Sequence, residues 1–378
     1  GGDAVIANEL SLTGTGDFLL DGDNDVDEIA ATVSGVVEFV NVLDGGKVAV
    51  DAVTGGETGV TLTGGAFLLT ADGIDVNEDI DASGVTLLGR SDDAVATAAD
   101  IASTIASGVT IDANGADLSV TTEDLTIASD ATLQGTAEVE LQPVDVDDDI
   151  ALGNTNDSDD PTGDEDTFEL TDAELATLAD GFTEINLGRA DGTHDIDIDS
   201  ITLSDPLVIR SPVDGAGTED ITITGKIAGT DDASVTVDGS GATTIFDAND
   251  PGITTEGEFI LISDDVVVSD GIEALLDTTQ GANPDGAAVT IEGTVNGSLN
   301  PSATSPDGPN TLADSTDNDE ESLVVNAGLT GTATFLDDIG PVGPDGDAGT
   351  GDDLDEAFDV ALDVTADLLV LGALGSPI

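Results

Sequence analysis

The sequence predicts an all-β chain wound as a β-solenoid, and three observations carry that reading. Apolar runs of about three to five residues recur along nearly the whole chain, each bounded by Gly, Asp or Asn. Within the runs Val, Ile and Leu alternate with Thr, Ser and Asp, as a strand with one buried face requires. The runs also follow one another too closely for helices to intervene, which argues against a βαβ fold. Such strands suit coils of roughly 20–25 residues that stack rung on rung through parallel pairing. Tandem β-sandwich domains are the competing arrangement. Strands this short, and the lack of an aromatic core, weigh against them.

In chain order, the first runs are residues 60–63, 66–70, 74–76 and 85–88, then 109–111, 118–120, 125–127 and 137–141. Beyond the middle come 201–203, 207–209, 221–224, 234–237, 259–262 and 266–268, with 289–291, 323–325, 333–335 and 368–370 closing the series. Two stretches read as short helical decorations. Residues 170–180 set Thr171 and Glu174 at capping-box spacing and Leu175 and Leu178 on one face, with Gly181 as the stop. Residues 94–107 are Ala-rich and read as a second helix. Either would cap or decorate a solenoid, whose end strands otherwise expose unpaired backbone. Acidic loops rich in Asp, Gly, Pro and Ser occupy residues 145–166, 300–321 and 340–356. The first divides the chain into a solenoid block at 1–144, the acidic loop 145–166, and a second block at 167–378 that carries the other two loops.

Charge narrows the function classes. With 81 acidic and 5 basic side chains the formal net charge is −76. Charge of this size usually accompanies disorder, but 39% of the residues are apolar, enough to build a core. Nucleic acid is excluded as a partner because too few cations exist to neutralise phosphates, and an anionic membrane surface is excluded on the same ground. No apolar run approaches the ~20 residues of a membrane-spanning helix. Without cysteine there are no disulfides and no thiolate metal sites. The start at Gly1-Gly2-Asp3 reads as a processed or excised piece. Nothing points to an enzyme. Acid pairs such as Asp264-Asp265 are too abundant to inform, Trp and Tyr platforms for sugars are absent, and Lys47, Arg90, Arg189, Arg210 and Lys226 are scattered. His194, in a Gly-Thr turn, reads as an exposed side chain, the alternative being a metal ligand beside Asp195 and Asp197.

The acidic clusters are the most informative feature. Calcium takes six to eight oxygens from carboxylates, amides and backbone carbonyls, and alternating acids in a turn present them together. Asp21, Asp23, Asp25 and Asp27 form one such run. Asp345, Asp347, Asp353 and Glu356 fall at positions 1, 3, 9 and 12 of a twelve-residue loop, though Gly349 and Thr350 depart from the EF-hand pattern there. Asp75, Asn77, Asp79 and Asp81, and likewise Asp195, Asp197 and Asp199, alternate in a way that also suits the outward face of a strand.

Several phrases resemble repeats of very large bacterial surface proteins of the filamentous haemagglutinin type. These are LSLTGTGDFLL at residues 10–20, SLVVNAG at 322–328 running into TATF at 332–335, and LDVTADLLVLG at 362–372, with the GRADG turn at 188–192. The resemblance implies a right-handed parallel β-helix that is exported and works at the cell surface as a fibre or adhesin, and it implies no catalytic residues. The chain is more acidic than such arrays, and their secretion domain is not evident in it. The expected function is a structural building block of an extracellular bacterial filament, a homo-polymer joined end to end by strand pairing and stabilised by Ca²⁺. The alternative is a calcium-dependent adhesin segment whose acidic loops bind a glycan or matrix ligand.

Overall fold

Strand alternation and parallel stacking organise the chain as the sequence predicts: the protein is nearly all-β and its long sheets are parallel, the architecture of a β-solenoid. The computed structural model describes residues 4–41, 46–90, 102–153, 167–211, 220–239, 242–248, 250–269, 271–281, 283–297, 322–337, 339 and 361–371. Two units are distinguished, residues 1–194 with 203–206, and residues 195–202 with 207–378. Among the described residues no helix is long and apolar enough to cross a membrane.

The first unit has three columns of parallel strands. One column runs from the start of Phe18–Val33 through Val37–Asn41, Phe67–Thr70, Val85–Leu88, Leu118–Thr122, Glu138–Pro143 and Glu184–Leu187. A second stacks Lys47–Val50, Gly73–Val76, Ser103–Ile105 and Leu125–Ile127. The third stacks Val60–Leu62, Ile80–Asp81, Thr110–Asp112 and Thr132–Gln134. Register fixes what meets inside. Val37, Phe67, Val85, Leu118, Val139 and Ile185 form one buried line, so each rung lays an aliphatic or Phe side chain on its neighbour. Full burial of such a side chain is worth about 1.5–3 kcal/mol.

In the second unit one column runs Leu207–Arg210, Val235–Asp238, Ile260–Ile262, Val289–Ile291, Thr332–Phe335 and Leu368–Leu371. Another runs Ile196–Ile198, Asp220–Ile223, Thr243–Phe246, Asp265–Val268 and Val295–Gly297. The third runs Lys226–Gly229, Gly252–Thr254, Glu273–Asp277, Ser322–Asn326 and Ala361–Thr365. Register partners such as Ile221, Thr244 and Val266 lie on successive rungs a little over twenty residues apart.

Three local expectations are corrected. Residues 21–28 lie on the sixteen-residue strand Phe18–Val33, not in a turn. Inward-facing Asn24 and Val26 alternate there with outward acids, and the inward set decides the conformation. Of the helix expected at 94–107, residues 94–101 lie outside the described residues and Ser103–Ile105 is a strand. Ser103 and Ile105 point inward between two paired strands, and the Ser103 hydroxyl donates to or accepts from Thr122 Oγ1 at 2.8 Å. Pairing has overridden alanine's helix preference. The helix expected at 170–180 is a single turn, Asp172–Leu175, with its capping box formed as read: the Glu174 N–H donates to Thr171 Oγ1 at 3.3 Å and the Thr171 N–H to Glu174 Oε2 at 2.9 Å. It stops early because the chain re-enters a ladder. Leu133 N–H donates to Thr177 O and Ala179 N–H to Leu133 O.

That turn closes an edge in the first unit. Glu174 Oε1 accepts the Ile127 N–H at 2.9 Å, so the turn covers backbone that the strands Leu125–Ile127 and Thr132–Gln134 would otherwise present. Beside it, Asp124 has its carboxyl pushed above the ordinary range, chiefly by burial; the Leu125 N–H pulls the other way and the charge of Glu174 adds to the rise.

Two predictions follow from the packing. A Cβ at Gly65 would lie 1.8 Å from the Gly35 carbonyl oxygen of the preceding coil, so Gly65→Ala must push two rungs apart. The expected loss is about 1–3 kcal/mol in denaturant unfolding, and an unchanged midpoint would contradict the stacking. For Asp124 the raised pKa means the folded state holds its proton more tightly. Its contribution is therefore fully present below the unfolded value of 3.8 and is lost as pH rises through the folded value. Asp124→Asn, which keeps an acceptor for Leu125 N–H, is expected to melt higher than the parent at pH 7, the gap closing toward pH 4.

Candidate metal centre

One cluster of acids converges where two successive coils of the first unit turn the same corner. The strands Leu118–Thr122 and Glu138–Pro143 pair in register up to Thr122 opposite Pro143, so the residues after them leave the ladder side by side. Val144 N–H donates to Thr122 O at 3.1 Å and holds the two exits together. Glu123 follows the first strand, and Asp145 and Asp148 follow the second. One carboxylate oxygen from each lies within 4.8 Å of the others. Glu123 and Asp145 are half-buried and Asp148 is buried.

The corner is rigidly supported. Arg189, on the rung above, donates from Nη1 to Pro143 O at 3.1 Å and to Val144 O at 2.8 Å while pairing with Asp191. His194 Nδ1 lies 3.4 Å from Val146 O. At 1% exposure His194 is a buried residue, contrary to the sequence expectation; it packs where a Gly192 Cβ would strike its ring. Three carboxylates at this spacing repel one another, and a hard divalent cation is the group that turns the repulsion into attraction. Acidic residues thus come together in a way that could bind a metal ion.

The sequence-selected acids are placed differently. Asp21 and Asp27 are exposed and Asp25 is half-buried on Phe18–Val33, whose register shifts between Leu20 and Asn24; Asp23 belongs to the same strand. Neighbours on one face of a strand stand about 6.6 Å apart. Asp345, Asp347, Asp353 and Glu356 lie outside the described residues. Of the other alternating acids, Asp75, Asp81 and Asp197 lie on strands with outward side chains, whereas Asp79, Asp195 and Asp199 lie just outside the strands, and several of them bond to the adjacent coil. Asp75 Oδ1 accepts from Thr104 Oγ1 and Lys47 Nζ, Asp79 Oδ1 from Thr110 N–H, Asp81 Oδ1 from Asn114 Nδ2, and Asp195 Oδ1 from Asp220 N–H.

Sequence reading missed Glu123 and Asp148 as partners because they are separated by one coil, and local spacing carries no trace of that proximity. No short motif around Glu123, Asp145 or Asp148 marks their meeting. Comparisons with protein-family models, with curated proteins and with solved structures find no match for this chain.

If the corner takes a cation, divalent chloride should raise the melting temperature relative to sodium chloride at equal ionic strength, and chelator should reverse the rise. In the double variant Glu123→Gln with Asp148→Asn most of that response should disappear. A response of undiminished size in the variant would place the cation elsewhere.

Proposed function

We propose that the chain is a structural, non-enzymatic building block of an extracellular bacterial surface fibre, joined to further copies by end-to-end strand pairing. One observation carries the reading. Leu368–Leu371 is paired with Thr332–Phe335 along one edge only among the described residues, and its Leu369 and Leu371, in line with buried Ala333 and Phe335, are 45% and 52% exposed. A rung edge with free backbone groups and an uncovered aliphatic interior is a template for another strand. The same description fits Ile6–Gly14, which pairs on one side with residues 25–33 and leaves Ile6 exposed. An edge of one copy against the other edge of the next is a heterologous contact, and where its rotation does not close it propagates.

Copies with 81 acidic side chains repel, so assembly calls for cations, and calcium suits clusters of carboxylate oxygen. Parallel stacking supports kinship in architecture with surface fibres of the filamentous haemagglutinin type, and that likeness is the basis for placing the protein outside the cell. The adhesin reading has no observation in its favour, because the loop at 300–321 assigned to it lies outside the described residues.

Negative-stain electron microscopy and light scattering with calcium decide the matter. Filaments or concentration-dependent oligomers are expected. Leu369→Lys with Leu371→Lys, which sets charge on the open rung without touching buried residues, should return the protein to monomers. Monodisperse single copies at all calcium and protein concentrations would overturn the proposal.

A further inference from the structure

In the second unit, the corner between Thr243–Phe246 and Gly252–Thr254 has an unusual backbone. Ala248 has φ of 62° and Asp250 φ of 64°. Alanine has no side-chain hydrogen bond to favour that left-handed region. Asp250 is also followed by Pro251, and a residue before proline is pushed toward extended conformations. The flanks are fixed. Asp247 N–H donates to Ile223 O at 3.0 Å, Gly252 N–H to Gly225 O at 3.0 Å, and Leu275 N–H to Pro251 O at 3.1 Å. Strain introduced at this corner therefore cannot relax along the ladder. Strained residues held by their surroundings gather at functional sites.

Chemistry and access coincide there. The Asp250 carboxylate is held by Lys226, whose Nζ lies 3.3 Å from Oδ2, and both open onto a surface cavity of about 400 Å³ lined also by Asp199, Ser200 and Ala248. Asp250 is 81% exposed, so the ion pair adds little stability. A tertiary amide, a carboxylate on the residue that precedes it, an ammonium and free access of water are the parts of one reaction.

We propose that the Asp250–Pro251 peptide bond is a self-cleavage site. The Asp250 side-chain carboxylate oxygen attacks the carbonyl carbon of its own residue, closing a five-membered cyclic anhydride. The bond from that carbon to the proline nitrogen breaks, and the leaving nitrogen takes a proton from the Lys226 ammonium. Water then opens the anhydride, leaving a free carboxyl on both the side chain and the new C-terminus, and its surplus proton returns to the Lys226 amine. The nucleophile belongs to the cleaved residue, so the reaction occurs once per chain. Proximity is supplied by the covalent frame, and the fold contributes the strain and the proton donor. This inference is independent of the fibre reading.

The chain carries its own control. Asp205–Pro206 has the same chemistry, but Asp205 is 1% exposed, has no left-handed φ, and accepts the Gly181 N–H at 2.9 Å. Purified full-length protein is incubated at 37 °C and neutral pH and followed by intact mass and N-terminal sequencing. Expected are fragments 1–250 and 251–378 with a new N-terminal Pro251, formed at least tenfold faster than any product of Asp205–Pro206. The fragments should co-elute under native conditions, because the ladder bonds on both sides of the break remain. In denaturant the preference for Asp250–Pro251 over the chain's other two Asp–Pro bonds, 160–161 and 205–206, should vanish. Asp250→Ala and Pro251→Ala should each lower cleavage tenfold or more; Asp250 is exposed and Pro251 buried at the corner, and circular dichroism verifies the fold of each variant. Lys226→Arg, which keeps the ion pair without a readily lost proton, should slow it similarly. Absence of the 251–378 fragment, or equal cleavage at Asp205–Pro206 and Asp250–Pro251 in the folded protein, overturns the proposal, and an unchanged rate in Lys226→Arg overturns the role given to Lys226.

Discussion

The rise of one rung, about 4.8 Å, is the constraint on which everything else in this protein depends. Parallel pairing sets each residue directly over its counterpart in the next coil, so every choice made in one rung is repeated at that distance. Inside, the repetition is favourable: aliphatic lies on aliphatic. Outside, it sets like charge over like charge. Asp81 and Asp112 are register partners on the outer face of the third column in the first unit. Two carboxylates at that separation repel by about 1 kcal/mol in bulk water. One hydrogen bond contributes about the same amount. Asn114 Nδ2 donates to Asp81 at 2.8 Å and Gln134 Nε2 to Asp112 at 2.6 Å, which is how the molecule offsets the repulsion locally.

Much of the acid content also has a structural use. At the corners of a solenoid the first backbone N–H of a rung lies beyond the reach of the regular ladder and needs an acceptor. Carboxylates of the adjacent coil supply it. Asp17 accepts from Val36 N–H, Asp79 from Thr110 N–H, Asp195 from Asp220 N–H, and Asp265 from both the N–H and the hydroxyl of Thr294. Asn24 performs the same service inside the first unit, where Oδ1 takes the Val5 N–H and Nδ2 reaches Leu20 O and Val40 O. An Asp-rich, Lys-poor chain is thus consistent with its fold: an acceptor at a corner joins two rungs, whereas an ammonium has no backbone donor to satisfy.

This explains which features were legible in the sequence. The rungs were legible because a strand buried on one face must alternate, and that pattern is local: residues 60–63, 118–120 and 289–291 contain the strands Val60–Leu62, Leu118–Thr122 and Val289–Ile291 almost as read. The capping box at Thr171 and Glu174 was legible for the same reason. Its continuation was not, because the competitor was Leu133, forty-five residues before its bridge partner Leu178. Acids at 21–27 resembled a turn because the decisive residue, Asn24, looks polar in a string but is buried by a ladder that only stacking creates. The acidic corner was illegible in principle. Glu123 and Asp145 meet because of coil length, a property of the whole rung and not of any short motif.

Corners absorb what the rungs cannot, and the way they do so differs from place to place. Among the non-glycine residues with left-handed φ, Asn114 is of a type that tolerates the region, and it recovers the cost through two side-chain bonds to the coil below, to Asp81 and to Ala82 O. Asp231 is likewise of a tolerant type and sits in the turn that precedes Val235–Asp238. Ala248 has no such means, and Asp250 uses its carboxylate on a lysine instead of on its own backbone. Most of the left-handed positions among the described residues are instead glycine. The strain at Ala248 and Asp250 is therefore not explained by the winding of the coil, and it coincides with an Asp–Pro bond, its own carboxylate and the Lys226 ammonium. A solenoid is also the architecture in which such a break is tolerated, because each rung is held by its neighbours above and below and not by the continuity of its own backbone.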